Sequence, residues 1–373
     1  MRYYTLFVAC ATAIAAAETL IVLIRTTKKS LRIKMNKTTT EQELAPSSRS
    51  KSKGKYEDLP YNPRSKTITN DVEWKDNNGN LLDVSRGGKI SNIDGIFCWV
   101  GTTPFSSKAD NGDIYLYKSY TLGSNSWEFV RKLVDSSAAE KLGTGGNCQL
   151  HKHPSNGTYH LHCKRREFYI SDSIDGDFVR LAKPKDPSNN DGWRWGANYV
   201  YQEKNEMYLV TTMSLENADG TIDGTTRTLY IFKMNKAWTG FDPTTPIVAT
   251  WSWPKREGLC LFKERSTYFL TASHTAGWKN SFTWFRSADT MEQLSQASDV
   301  EVLFSPENTS SIKSMGSQHR QIIEVSSGKW IFMGSRHPDE DPMEYDSKYG
   351  RNIAAPVRFI DGVPNVYWKY CSC

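Results

Sequence analysis

The chain lacks a Cys-x-x-Cys pair, and its histidines and cysteines do not fall at the spacing of a zinc site, which argues against a structural or catalytic zinc. It also lacks a basic groove. Much of the formal net charge of +6 sits in the first 65 residues and the remainder is mixed in sign, so nucleic acid is not an expected partner. Cysteine is sparse, at seven in 373 residues. With Cys10 set aside in an apolar N-terminal segment, Cys98, Cys148, Cys163, Cys260, Cys371 and Cys373 remain. An even number permits disulfides, and Cys148 with Cys163 is the favoured pair because the two flank one hairpin. Four of the six lie in expected buried strands, where free thiols are the alternative. No cofactor is implied.

Aromatic residues, by contrast, make up 12% of the chain, including twelve Trp and eighteen Tyr. That suits an all-β protein, and flat rings also stack on the apolar faces of sugars. The rings recur with a period. A turn followed by a β-rich run appears at Asp94-Gly95 before IFCWVG, Asn156-Gly157 before TYHLHC, Asn205-Glu206 before MYLVTT, Glu264-Arg265-Ser266 before TYFLTA, and Ser327-Gly328 before KWIFMG. An apolar run precedes each turn, so each unit reads as an antiparallel hairpin. Phe97, Tyr159, Tyr208, Phe269 and Trp330 then hold one equivalent position, at separations of 62, 49, 61 and 61 residues. Five repeats of this length predict a five-bladed β-propeller with a central funnel.

Twelve residues before each aromatic stand Ser85, Asn147, Gly196, Glu257 and Gln318, the set expected at the mouths of the innermost strands. Only Glu257 is a carboxylate. A glutamate there either caps a solvent-exposed strand end or faces the funnel as a chemical group, and spacing alone leaves both open. Trp193 and Trp195 bracket Arg194 just before Gly196, which reads either as a sugar platform with an anion clamp or as ordinary packing. His151, His153, His160 and His162 alternate along one hairpin. With no carboxylate to complete a ligand set, an exposed or hydrogen-bonded strand face is the expectation rather than a metal site.

Residues 1–24 read as a signal peptide or membrane anchor, since Thr5 to Ile24 is nearly continuously apolar and Ala15-Ala16-Ala17 resembles a cleavage site. The basic cluster Arg25, Lys28, Lys29, Arg32 and Lys34 favours cleavage over an anchor of reversed orientation. Either way the expected location is the secretory pathway, and sequons at Asn36, Asn156 and Asn308 fit it. Residues 25–66 are polar, basic and Ser/Thr-rich, a disordered stem by composition. The folded domain is expected over 67–373.

Several segments resemble glycoside hydrolase family 43, closest to its exo-β-1,3-galactanase branch. REGLCLFKERSTYFLTASHTAGW is similar to REAPALFK…GTYYLITS…TGW of that branch, and RGGKISNIDGIFCWVGT to its HGGGI…GTYYWYGE strand pair. GSQHRQIIEVSSGKWIFMGSR resembles SQ…G-YIYMGDRW, and YDSKYGRNIAAPVRFIDG resembles SRYVWLPLEF. The resemblance implies the same five-bladed propeller and a glycosidase that acts on a galactan-like or arabinose- or xylose-containing oligo- or polysaccharide. It assigns Glu257 to the general acid and Gln318 to the glutamine that replaces an acidic base. Such an enzyme would be exo-acting and inverting, with room for water between the two groups. Arg86, Asn147, Trp193, Trp195, Arg256 and Trp278 complete the expected substrate-binding set. In a funnel lined by neutral groups, Glu257 would hold its proton nearer working pH. The chain departs from the pattern at Gly145 to Cys148 (GGNC for an ERPK-like element), at Trp195-Gly196 (for Arg-Asp) and at Arg86 (for the opening His). These departures leave a second reading, a sugar-binding propeller without turnover.

Overall fold

Alternating apolar and polar residues, closed by Gly- or Asp-containing turns, give short twisted strands that bury one or both faces. The computed structural model describes residues 61–70, 72–82, 86–102, 113–134, 147–189, 193–216, 227–275, 280–304, 313–336, 352–367 and 371–372. The N-terminal segment 1–24, Trp278 and the sequons at Asn36 and Asn308 lie outside them, as does most of the stem. Strand β1 (Thr67–Ile68) is followed by blade 1: β2 (Arg86–Ile93), β3 (Ile96–Thr102), β4 (Ile114–Ser119) and β5 (Glu128–Val134). Blade 2 is β6 (Gln149–Lys152), β7 (Tyr159–Cys163), β8 (Glu167–Ser171) and β9 (Val179–Arg180). Blade 3 is β10 (Trp193–Glu203), β11 (Glu206–Leu215), β12 (Thr228–Lys233) and β13 (Ile247–Ser252). Blade 4 is β14 (Arg256–Glu264), β15 (Thr267–His274), β16 (Thr283–Ala288) and β17 (Val300–Glu301). Blade 5 is β19 (Gln318–Ser326), β20 (Lys329–Ser335), β21 (Asn352–Ile360) and β22 (Val363–Val366), with β18 (Leu303–Phe304) parallel on its outer edge. Finally β23 (Cys371–Ser372) pairs with β1.

Each blade is an antiparallel meander in sequence order, and the fold is the five-bladed β-propeller that the repeats predict. The first strands line the axis, where β2 packs on β6, β10 on β14, β14 on β19, and β19 back on β2. Between blades the sheets bury apolar faces against each other. Leu150, Leu161 and Tyr169 of blade 2 meet Val100 and Leu116 of blade 1, while Phe262 and Phe269 of blade 4 meet Trp330 and Phe332 of blade 5. Residues 70–82, just before blade 1, lock the ring by bonding to blade 5. Asn70 gives its amide to the Ala354 carbonyl (2.9 Å) and accepts the Ala354 N–H (2.8 Å), and the Asn352 amide donates to the Leu82 carbonyl (3.0 Å).

Blade 2 shows how register decides contacts. Gln149 pairs with His162, so Cys148 and Cys163 stand opposite each other just beyond, and they form a disulfide. Cys98 and Cys260 are buried free thiols. The same register puts all four histidines on one face, and that face is buried rather than exposed, packed against Trp238 and Phe168. His153 Nε2 reaches the Lys236 carbonyl at 2.8 Å and His162 Nε2 the Trp238 carbonyl at 3.3 Å. Among the described residues no three His, Cys, Asp or Glu side chains converge as a ligand set for a metal.

Candidate active site

Two inner strands place the expected pair together. Glu257 is the second residue of β14 and Gln318 the first of β19, and the Gln318 amide donates from Nε2 to Glu257 Oε1 at 2.9 Å. They are 61 residues apart in the chain. The strands run side by side at the axis without a main-chain ladder, so side chains supply the rungs. One step below the pair, His319 Nδ1 meets the Gly258 carbonyl at 2.7 Å. Burial pushes His319 down to about 3, so the ring is neutral and donates from Nδ1. Further in, Cys260 Sγ lies 3.4 Å from the Ile322 carbonyl and 3.3 Å from its N–H.

A β-bulge between Glu257 and Cys260 aims the carboxylate. Its residue is Gly258 at φ +61, and a Cβ there would stand 2.8 Å from the His319 carbonyl and 2.8 Å from Ser273 Oγ. Only glycine fits both the left-handed backbone and the close approach of β19. Ser273, opposite Glu257 in β15, donates its hydroxyl to the Glu257 carbonyl at 3.0 Å and fixes the bulge from the other side.

The funnel around Glu257 is not lined by neutral groups alone. Arg227, just before β12, places Nη1 3.5 Å from Glu257 Oε2. The guanidinium is held in place: Nη1 also donates to the Arg256 carbonyl (2.9 Å) and Thr275 Oγ1 (2.8 Å), and Nε to Ser214 Oγ (3.3 Å). Arg227 is the residue that the sequence reading misses. Its signal was positional, because the second strand of a blade ends, and the third begins, at the rim where the inner strand starts. The Glu257 side chain remains 20% exposed, so solvent and a ligand reach it. A cation and an N–H donor are partners for an ionised carboxylate. Rotating the Gln318 amide by 180° would offer its oxygen to the same atom, so the 2.9 Å contact also suits a protonated Glu257.

The contact corrects one expectation. Inverting pairs stand roughly 6.5–9.5 Å apart, and here carboxylate and amide touch, with no gap for water between them. Arg256 is also not in the funnel. Successive strand residues point to opposite faces, so with Glu257 turned to the axis the Arg256 guanidinium goes the other way. It lies 4.8 Å from the Trp284 ring centroid and 5.9 Å from that of Trp253, and donates to Asp299 at 3.3 Å. Trp195 packs largely into the core, 5% exposed, away from Glu257. Its ring is stacked on Phe232 at 5.3 Å, covered by Arg166 at 4.7 Å, and its N–H donates to Asp186 at 2.7 Å. Residues 193 and 195 share one face of β10, and that face meets blade 2. Trp193, half-buried there, and Trp195 line a cleft of about 350 Å³ with Arg165, Arg166, Lys183, Arg194 and Glu216, whose lining includes neither Glu257 nor Gln318. Asn147 lies half-buried just before Cys148, and Gly196 sits within β10. Arg86 opens β2 opposite Thr102. The Arg86 side chain, Ser85 and Trp278 fall outside what is described.

No family model and no curated protein matches the sequence. Solved structures do match it in fold. An exo-β-1,3-galactanase from Clostridium thermocellum aligns with a TM-score of 0.63 at 16% identity, over 81% of this chain and 65% of that one. An exo-β-1,3-galactanase from Phanerochaete chrysosporium, solved with β-1,3-galactotriose, aligns with a TM-score of 0.62 at 18% identity, over 80% and 66%. A thermostable family-43 glycoside hydrolase aligns at 0.53 and 13% identity, over 76% of this chain and 92% of its own. The chain therefore spans just under two thirds of those two galactanase chains and shares their fold.

Proposed function

We propose that the chain is a glycoside hydrolase that cleaves terminal residues from a galactan-like glycan with inversion, Glu257 being the general acid. The observation that carries this reading is the pair itself: a lone carboxylate and an amide, from strands 61 residues apart, brought to 2.9 Å at one mouth of the propeller. In the proposed reaction a sugar enters between them and separates the side chains to inverting range. Glu257 then protonates the leaving glycosidic oxygen, while the Gln318 amide oxygen accepts a hydrogen bond from the water that attacks the anomeric carbon from the other face and releases its proton to bulk solvent. Arg227 orients the carboxylate and steadies the negative charge left after proton transfer. The galactanase folds support a β-1,3-linked galactan as the first substrate to try.

A sugar-binding propeller without turnover is the second reading. It is favoured by the Arg227 contact, which suits a carboxylate that stays ionised, and by Gly196 and Asn147 at ring positions that carry no acid. The secretory pathway is the proposed location, supported by the Cys148–Cys163 disulfide, which needs an oxidising compartment. Attachment to a membrane through residues 1–24 is a proposal of the same kind.

Hydrolysis of β-1,3-galactan and a panel of aryl glycosides by the wild type and by Glu257→Gln tests the assignment. The enzyme reading expects turnover to fall by about 10²–10⁴ in Glu257→Gln with oligosaccharide binding kept. Binding without turnover in the wild type establishes the second reading, and equal rates in both proteins end the role given to Glu257.

A further inference from the structure

Two of the ties between β14 and β19 join residues at the same offset, Glu257 with Gln318 and Gly258 with His319, and deeper in Cys260 meets Ile322, one residue further along β19. The missing level, Leu259 with Arg320, is filled from a third blade. Lys89 of β2 extends across the axis and its Nζ donates to the Leu259 carbonyl at 3.2 Å and to the Arg320 carbonyl. The side chain is 2% exposed, and Nζ lies 5.4 Å from the Tyr199 ring centroid of blade 3. One ammonium thus touches four of the five blades. In the HGGGI opening that RGGKI resembles, this position is a glycine.

We propose that Lys89 is a positioning residue for the Glu257–Gln318 pair, holding the main chains of β14 and β19 at the separation that brings carboxylate and amide into contact. The carbonyls it holds lie only two residues beyond Glu257 and Gln318 in their strands. Burial pushes the ammonium down to about 7. That does not loosen the tie, because a neutral amine keeps two N–H groups for two carbonyls. An apolar side chain of the same length fills the volume and makes neither bond. The other interblade ties nearby act elsewhere: the Gln149 amide oxygen accepts the Val200 N–H between blades 2 and 3, and that of Gln321 accepts the Ile90 N–H between blades 5 and 1.

The inference deepens the proposed function but is tested without it. Crystal structures of Lys89→Met and of Gln149→Met, with the wild type, read the Glu257–Gln318 separation directly, and carbon-13 NMR of the Glu257 carboxyl, identified by its loss in Glu257→Gln, follows the same contact in solution. The expected result is that Lys89→Met opens the contact beyond hydrogen-bond range and moves the Glu257 titration upward, while Gln149→Met, an equally buried tie, leaves both as in the wild type. If Lys89→Met does not fold, Lys89→Gly, which restores the glycine of the related motif, is read the same way. An unchanged contact and titration in the folded Lys89 variant overturns the proposal whatever the activity, and so does an equal opening in Gln149→Met. A wild type that neither binds nor cleaves any glycan overturns the proposed function and leaves the structural readout decisive for Lys89.

Discussion

One glycine and one carboxylate illustrate how little of a site a side chain controls by itself. Glu257 reaches Gln318 because Gly258 takes a left-handed backbone in a bulge against β19, where even a methyl group would meet the His319 carbonyl at 2.8 Å. Gly258→Ala is therefore expected to cost about 1–3 kcal/mol from backbone strain, plus whatever displacement of β19 relieves the contact. Urea unfolding measures the first effect and the Glu257–Gln318 separation in a crystal structure the second. A variant with wild-type stability and an intact pair would show that the bulge does not set the geometry. Glu257 itself was legible as a residue, since it is the lone acid among five equivalent positions. Its partner Arg227 was not, because the rim it occupies is defined by strand direction rather than by any local motif.

At the scale of one element, the histidine face of β6 and β7 makes blade 2 sensitive to acid. Burial lowers His151 to about 3 and His160 to about 4, and pushes His162 well below its usual value, with neighbouring imidazoles adding to the shift in His160 and His162. In the unfolded chain these rings bind protons near 6.5, so between that value and about 4 the unfolded state holds more protons than the folded one. Stability is full above pH 6.5 and falls as pH drops, by about 1.4 kcal/mol per pH unit for each ring that titrates only when unfolded. Denaturant midpoints at pH 7.5 and pH 5 check this, and equal midpoints would contradict it. The alternation of the four histidines was visible in the sequence. That their shared face is buried follows from Trp238 arriving from the loop after β12, which no pattern within blade 2 encodes.

The whole molecule depends on closing a ring whose ends are far apart in the chain. Asn70 makes two buried hydrogen bonds with the main chain of Ala354, 284 residues away. Asn70→Ala leaves a carbonyl and an N–H unpaired inside the closure, at about 1–3 kcal/mol for each group. We expect the denaturant midpoint to fall accordingly while unfolding remains a single transition, because every blade shares its core with two neighbours. A second, earlier transition confined to blades 5 and 1 would show instead that the ring opens locally. The near-regular spacing of the hairpins made the number of blades readable, whereas Asn70, lying before the first repeat, carried no periodic mark.

The sequence by itself determined the blades: alternation, turn residues and the recurring aromatic fix strands, hairpins and the near-equal repeat, since these are local properties of a few consecutive residues. It also determined that Glu257 and Gln318 hold equivalent positions in successive repeats. Only the tertiary structure decided that the two touch, that Arg227 stands beside them, that Arg256 and Trp195 turn away, and that Lys89 spans the axis. Those outcomes depend on how sheets pack face to face and how far apart inner strands come to lie, distances set by every interface in the ring at once and by no single stretch of chain.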